Sequence, residues 1–190
     1  MDDRSGVGFD KDMTTAPNTL ARPVRHPLRT GVLLLATVTT GMTAGVYTDW
    51  SNTIMPGLGD VDDRTFVTAF QALDAAIMNP LFLGVEFTGS LLLIALALVL
   101  HLRSGRRATL VWLSVALAAY LVSVVITMGV NEPLNQQLRS ITELDTDADY
   151  TAARAILDEA RWAAWNTVRA FATLTAFASL AWTLVTHQRR

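Results

Sequence analysis

Cysteine is absent from this chain of 190 residues. The absence excludes disulfides, thiolate metal sites, iron–sulfur clusters and a cysteine nucleophile. Charge is also scarce, because Asp, Glu, Lys and Arg supply 17% of the residues, whereas about a quarter is usual for a soluble domain. The formal net charge is −2, and no basic stripe crowded with aromatic residues occurs. Nucleic acid is therefore not an expected partner.

Histidine is the third scarce residue type. The chain has His26, His101 and His187, all at the flanks of apolar blocks and away from the acidic segments. No Glu-x-x-His or His-x-x-x-His pair is available to hold iron or zinc on one helix face. We therefore expect no metal site.

Apolar residues, in contrast, are abundant and are clustered in the sequence. They make up 51% of the chain and form four blocks, each near the roughly 20 residues that cross a bilayer as a helix. The blocks cover about 30–49, 80–102, 108–130 and 163–186. This pattern predicts an all-α fold, an integral membrane four-helix bundle whose first partner is the lipid bilayer.

The amino-terminal segment 1–29 differs in composition from the rest. It is polar, contains three prolines, and has acidic residues where a secretory signal peptide carries positive charge. We interpret 1–29 as a disordered cytoplasmic tail and 30–190 as the four-transmembrane-helix domain.

Basic residues predict the orientation of the bundle, because Lys and Arg resist translocation. The amino-terminal tail, the connection between the second and third blocks, and the carboxyl end hold most of them, while the other two connections are acidic. We therefore expect a multi-pass protein of the cell membrane with both termini in the cytoplasm.

The two acidic connections are predicted to be helical. In 62–79, apolar residues recur at helical spacing behind Asp62 and Asp63, which predicts an extra extracytoplasmic amphipathic helix that either lies on the membrane or roofs the bundle. The run Tyr150 to Trp165 contains neither proline nor glycine. It is expected to continue into the fourth helix as a projecting stalk of about ten to fifteen residues.

Polar residues cluster near the outer ends of all four blocks. Glu86 and Arg169 each lie roughly 9 Å below the outer start of their block at 1.5 Å per residue. An unpaired charge in hydrocarbon costs at least a few kcal/mol, so we expect these two side chains to pair. The pair either sets helix register or belongs to a functional site. The other polar and aromatic residues at this end are Tyr47, Asp49, Asn131, Asn135, Trp162, Trp165 and Asn166.

Each of those residues also has a plain structural interpretation. The tryptophans are typical of an interfacial aromatic belt. Asn131 and Asn135 flank Pro133, where they can cap a helix end that the proline terminates or kinks. Asp49 can simply be exposed at the surface.

Several motifs together resemble the anthrone oxygenase-like family of small four-helix membrane proteins. The combination of Asn-x-Pro-Leu-Asn with Trp-Asn-x-x-Arg is the more specific part, and the resemblance spans about 30–186. The segments that carry it are Met55-Pro56-Gly57-Leu58, Phe66-Val67-Thr68-Ala69-Phe70-Gln71, Asn79-Pro80, Asn131-Glu132-Pro133-Leu134-Asn135 and Trp162-Ala163-Ala164-Trp165-Asn166-Thr167-Val168-Arg169.

The resemblance implies oxidation of a polycyclic aromatic or polyketide substrate by O₂ without a cofactor. An anthrone has an acidic CH₂, so a base creates an electron-rich carbanion that reacts with O₂ directly. On this interpretation Glu86 or Asp49 is the base. The catalytic set also contains Arg169, Asn166, Asn131 and Asn135, which would hold the enolate oxygen. Trp165, Trp162, Tyr47 and Asp49 would contact the substrate, with Trp165 stacking on it.

Two other functions stay open at this point. The chain can be a non-enzymatic membrane protein that binds or passes a small molecule, or a structural partner subunit. In the second case Gly41 and Gly45, at a spacing that lets membrane helices approach closely, would form the docking face. A homo-oligomer is compatible with every one of these functions.

Overall fold

The computed structural model describes residues 27–103 and 107–188. Most of the predicted tail 1–29 therefore lies outside the described residues, and its last three residues already belong to the first helix. All regular structure in the described ranges is helical. The helices are α1 (Pro27–Asp49), α2 (Met55–Gly59), α3 (Asp63–Ile77), α4 (Ser90–Leu102), α5 (Arg107–Ile126), α6 (Glu132–Arg139), α7 (Asp147–Leu157) and α8 (Glu159–Gln188).

Three wide π-helical segments interrupt the regular helices. In such a turn each backbone N–H bonds the carbonyl five residues back instead of four. The segment Trp50–Ile54 joins α1 to α2, Leu81–Gly89 precedes α4, and Thr127–Asn131 joins α5 to α6. Pro133 lies directly after the wide segment Thr127–Asn131, and the third block continues past it to Arg139.

Four helical stretches are long and apolar enough to cross a membrane, which confirms the predicted all-α four-helix membrane fold. They are Pro27–Gly59, Leu81–Leu102, Arg107–Arg139 and Asp147–Thr186. Asn79 caps the start of the second stretch, since its Oδ1 accepts from the amide of Phe82 at 3.0 Å.

The membrane half of the core is apolar and tightly packed. Its central residues Leu33, Ile94, Leu113 and Leu180 come from all four spanning helices and are fully buried. α8 packs along both α5 and α1. The contact between α1 and α8 depends on Gly41, because a Cβ placed there would lie 2.9 Å from the ring of Phe177. A Cβ on Gly45 would meet nothing within 4 Å.

The amphipathic helix α3 roofs the bundle instead of lying on the membrane. Its buried residues Phe66, Val67 and Phe70 belong to a second core cluster that also contains Trp50 and Trp162. α3 packs on α7 and α6, so these three helices form a roof over the end of the four spanning helices that lies opposite Pro27 and Gln188. Asp62 caps α3 by accepting from the Thr65 amide. The hydrogen bond from the Thr65 hydroxyl, together with the one from the amide, lowers the pKa of the Asp62 carboxyl.

The predicted stalk is wrong. α7 begins at a capping box formed by Thr146 and Asp149 and ends at Asp158, whose φ of 50° places it in the left-handed region. The chain therefore turns between α7 and α8, and α7 folds back onto the roof. Alanine-rich composition favours helix on both sides of Asp158 and carries no signal for the break.

One arginine ties α7 to the rest of the roof. Arg154 donates to the carbonyl of Val61 at 3.0 Å and forms ion pairs with Asp63 and Glu159 at 3.2 and 3.0 Å. Its guanidinium also lies 4.2 Å from the Phe66 ring centroid. These contacts hold the start of α3, α7 and the start of α8 together.

Candidate functional site

A cavity of about 290 Å³ lies between the roof and the end of the bundle that the roof covers. This volume is near the lower limit of ordinary small-molecule sites. Aromatic and apolar side chains form most of its wall, and a few polar groups converge on it. The lining residues are Tyr47, Trp50, Asp74, Ile77, Met78, Phe82, Leu83, Phe87, Thr127, Met128, Glu132, Asn135, Gln136, Trp162 and Arg169.

All three π-helical segments contribute to this wall. Trp50 comes from the first, Phe82, Leu83 and Phe87 come from the second, and Thr127 with Met128 comes from the third. A π turn widens a helix locally and is frequent at functional sites. The wide turns therefore mark the depth at which the bundle departs from close packing and leaves a space.

Arg169 provides the buried positive charge of the cavity. Its guanidinium carbon lies 4.1 Å from the Tyr47 ring centroid and 5.4 Å from the Trp162 ring centroid, both within the range of a cation–π contact. Nε donates to Asn166 Oδ1 at 2.7 Å, and Nη1 lies 3.4 Å from Thr127 Oγ1. No carboxylate of the described chain lies within ion-pair distance of Arg169, so donor capacity is left for a ligand.

Asn166 positions Arg169 from one helical turn away. Its Oδ1 accepts from Arg169, while its Nδ2 donates to the Tyr47 carbonyl at 3.0 Å and to Ser51 Oγ at 2.7 Å. Asn166 is fully buried. It therefore supports the cavity from behind and ties α8 to the outer end of α1.

Asn135 links the cavity wall to the roof. It accepts from the Trp162 indole N–H at 2.6 Å and donates to Asp74 Oδ1 at 2.9 Å. Asn131 lies behind this link, fully buried, and donates to the Trp162 carbonyl at 3.1 Å. The two asparagines thus orient Trp162 through its indole and its backbone, and only Asn135 lines the cavity.

Asp74 is the buried carboxylate of the cavity wall. It is 2% exposed. Its Oδ2 accepts from Arg139 Nε at 2.7 Å and lies 2.6 Å from Arg139 Nη2 in an ion pair. Desolvation raises the pKa of this carboxyl above its ordinary value, and the hydrogen bonds from Arg139 and Asn135 act in the opposite direction without cancelling the shift. A carboxylate with a raised pKa is a stronger proton acceptor.

Glu86 lies beside the bundle core and does not line the cavity. Its side chain is buried, and its backbone carbonyl accepts from Thr43 Oγ1 at 2.9 Å and lies 3.1 Å from the Tyr120 hydroxyl. Oε2 accepts no hydrogen bond from the described chain. The expected Glu86–Arg169 ion pair is wrong, because among the described residues the ion pairs involve Arg139 and Arg154 instead.

Two further predicted residues lie away from the cavity. Asp49 lines a separate shallow groove beside Gly41, Gly45 and Phe177. Trp165 is 41% exposed on the outside of α8 and does not appear in the cavity wall. Of the nine predicted residues, the structure places Arg169, Asn135, Trp162 and Tyr47 on the wall, and Asn166 and Asn131 directly behind it.

Several wall residues were not predicted from the sequence. Asp74 follows Phe66 and Phe70 at four-residue steps, which puts a carboxylate on the apolar face of α3. An acid on the buried face of an amphipathic helix is a usable signal. No comparable signal marks Trp50, Phe82 and Phe87, because such aromatic residues are ordinary in a membrane helix.

This arrangement can bind a flat apolar molecule that has an acceptor oxygen. The rings of Tyr47, Trp50, Phe82 and Trp162 offer aromatic surface. Arg169 can hold a negative oxygen in surroundings of low dielectric constant, where such a contact is strong. Asp74 stands on the same wall as a proton acceptor.

Comparison with known proteins identifies one family. A family model described as anthrone oxygenase matches residues 78–179, which include the second π-helical segment, α4 to α7 and most of α8. No curated protein and no solved structure matches the chain.

Proposed function

Since the chain belongs to the anthrone oxygenase family, we propose that it is a cofactor-independent oxygenase that acts on a polycyclic aromatic or polyketide substrate in the membrane. The observation that carries the proposal is the cavity. Its aromatic wall contains a buried arginine, Arg169, that pairs with no carboxylate of residues 27–103 and 107–188, and a buried carboxylate, Asp74.

The substrate would lie flat among the rings with its oxygen directed to Arg169. The rings of Tyr47 and Trp162 lie 4.1 and 5.4 Å from the guanidinium carbon, and a contact with a ring forms no ion pair with the cation. Because planar guanidinium has donors at its edge, a phenolate or enolate oxygen can accept from it. Asn166 keeps the guanidinium in place and does not touch the substrate.

The proposed reaction inserts one oxygen atom at a CH₂ between two aryl rings. Removal of one proton gives an enolate, which transfers an electron to O₂, and the resulting radicals combine to form a C–O bond. The peroxide is protonated. Loss of the second C–H proton with cleavage of the O–O bond then gives a ketone and water. One substrate and one O₂ thus yield one quinone-type ketone and one H₂O, with no other oxidant.

We assign the proton acceptor to Asp74, in place of Glu86 or Asp49. Asp74 lines the cavity, whereas Glu86 and Asp49 do not. Burial raises the pKa of Asp74, which improves its match to an acidic CH₂. Arg139 and Asn135 orient the carboxylate through Oδ2 and Oδ1, respectively.

The test uses purified protein in lipid nanodiscs, an anthrone, and air-saturated buffer. We expect the quinone to form faster than in empty nanodiscs, and O₂ to be consumed in equal molar amount. Arg169→Lys and Asp74→Asn should each reduce this rate. Arg161→Lys serves as a control because Arg161 is exposed on the same helix and outside the cavity.

Two outcomes would reject the oxidation. One is a rate no higher than that of empty nanodiscs, and the other is a rate that the Arg169 and Asp74 substitutions leave unchanged. Saturable binding of the anthrone without turnover would instead support the non-enzymatic small-molecule function.

We also propose that the cavity faces the extracytoplasmic side and that both termini are cytoplasmic. Arginine enrichment at the inner flanks supports this orientation. A cysteine placed at Ala72, exposed on the roof helix, should react with a membrane-impermeant reagent in whole cells. Reaction only after lysis would reverse the orientation.

A further inference from the structure

Three apolar residues belong both to the cavity wall and to the outer surface of the protein. Met78 is 42% exposed, Leu83 is 36% exposed and Met128 is 58% exposed. They come from the end of α3, from Leu81–Gly89 and from Thr127–Asn131. A side chain that contacts both the cavity and the exterior marks an opening, so these three residues outline a mouth.

The mouth is on the side of the protein that faces lipid. Exposed apolar residues lie near them in the chain, with Leu81 55%, Val85 47% and Val125 69% exposed. Leu81–Gly89 and Thr127–Asn131 belong to stretches able to span a membrane. Exposed apolar side chains at this depth are matched to acyl chains.

The aqueous side of the cavity is closed by the roof. Asp74, on this side, is 2% exposed and bound by Arg139. Gln71 fastens α3 further by donating to the carbonyls of Leu138 and Ile141 at 2.9 and 3.1 Å. Phe66 and Phe70 of α3 stack on each other inside the second core cluster, which also contains Trp50 and Trp162.

One edge of the mouth is polar. Gln136 is exposed and Glu132 is partly exposed, and both line the cavity from α6. Gln136 Nε2 donates to Glu132 Oε1 at 3.0 Å. The mouth therefore has a polar lip formed by α6 and an apolar lip formed by Leu83 and Met128, as expected at the boundary between headgroups and acyl chains.

We infer that the cavity receives its ligand sideways from the bilayer, through a portal formed by Met78, Leu83 and Met128. The ligand class is a molecule dissolved in the membrane, apolar over most of its surface and carrying an acceptor oxygen. The inference rests on the proposed use of the cavity as a ligand site and not on the oxidation.

The absence of native cysteine makes a direct test of the route practicable. Thr127→Cys exchanges the hydroxyl for a thiol, removes one methyl group and places one thiol on the cavity wall. In nanodiscs, a lipid-soluble maleimide should label this thiol, whereas a charged methanethiosulfonate should label it slowly. Ala72→Cys, exposed on the roof, should react rapidly with the charged reagent.

A larger side chain in the portal should lower the rate at which the lipid-soluble maleimide labels Thr127→Cys. Leu83→Trp and Met128→Trp, tested separately on the Thr127→Cys background, should each reduce its rate by about tenfold, because an indole occupies a large part of such an opening. Val111→Trp is the matched control and should leave the labelling rate unchanged. Val111 is exposed on the apolar surface of α5 and does not line the cavity.

Specific results would overturn the portal. The first is labelling of Thr127→Cys by the charged reagent as fast as labelling of Ala72→Cys, which would mean access from water. The second is an unchanged maleimide rate in both tryptophan variants. The third is a thiol that neither reagent reaches, which would mean a closed cavity. None of these measurements involves turnover, so they separate failure of the route from failure of the oxidation.

Discussion

The guanidinium carbon of Arg169 lies 4.1 Å from the centroid of the Tyr47 ring, and this contact joins α8 to α1 at the cavity. It replaces the ion pair that a charge in a membrane helix usually needs. The rings of Tyr47 and Trp162 give the cation a favourable neighbour without neutralising it. Arg169 thus stays available to a ligand of negative charge.

Arg169→Lys should lower turnover of an anthrone by about tenfold or more, because an ammonium has neither the planar face that stacks on the rings nor the fork of edge donors. The steady-state rate of quinone formation in nanodiscs measures the effect. Arg161→Lys should leave the rate unchanged, and an equal loss in both variants would remove Arg169 from the site.

Turnover should depend on pH through Asp74. The base acts when deprotonated, so the rate should fall as pH decreases through its pKa, and burial places that pKa above the ordinary aspartate value. In Asp74→Asn the rate should be low at every pH, and the fall of the rate at acidic pH, the acidic limb of the profile, should be absent. Asp60→Asn, at an exposed acid near the roof, should keep the wild-type profile. An unchanged limb in Asp74→Asn would assign the base elsewhere.

Asn166→Ala should destabilise the fold as well as weaken the site. The substitution leaves the Tyr47 carbonyl, Ser51 Oγ and Arg169 Nε without their partner, and an unsatisfied buried group costs about 1–3 kcal/mol. Thermal unfolding in detergent should show a lower midpoint. Thr167→Ala, whose exposed hydroxyl bonds only its own helix, is the control and should unfold near the wild-type temperature.

Gly41 and Gly45 of α1 should respond in opposite ways to alanine. Gly41→Ala brings a Cβ to 2.9 Å from the Phe177 ring, and overpacking of this kind costs about 1–3 kcal/mol. Gly45→Ala meets nothing within 4 Å and should be neutral or stabilising, since alanine is the better helix former. Phe177→Leu should restore stability to Gly41→Ala. Equal destabilisation by both alanines would contradict this packing.

The sequence predicts the parts of this protein that depend on periodicity and composition. The apolar blocks give the spanning helices, and the spacing of Phe66 and Phe70 gives the amphipathic helix. The three-residue step from Asn166 to Arg169 places both on one side of α8, where they form a 2.7 Å hydrogen bond. These features follow from local geometry alone.

Two features are harder to predict from sequence: the direction in which a side chain points around its helix axis, and the residue at which one helix ends and the next begins. Counting residues gives the depth of Glu86, but Glu86 lies inside the wide segment Leu81–Gly89, where regular 3.6-residue spacing no longer gives its direction. The turn at Asp158 is equally hidden, because aspartate is not the usual residue of a left-handed position. Both features depend on tertiary packing that no single segment encodes.

The most direct test of the proposed function is a single turnover of an anthrone in nanodiscs under ¹⁸O₂, with mass analysis of the product. One heavy atom should appear at the new carbonyl, the other should leave in water, and the yield should fall in Arg169→Lys but not in Arg161→Lys. A product carbonyl whose oxygen comes from solvent, before any exchange with water, would contradict direct reaction of the bound enolate with O₂.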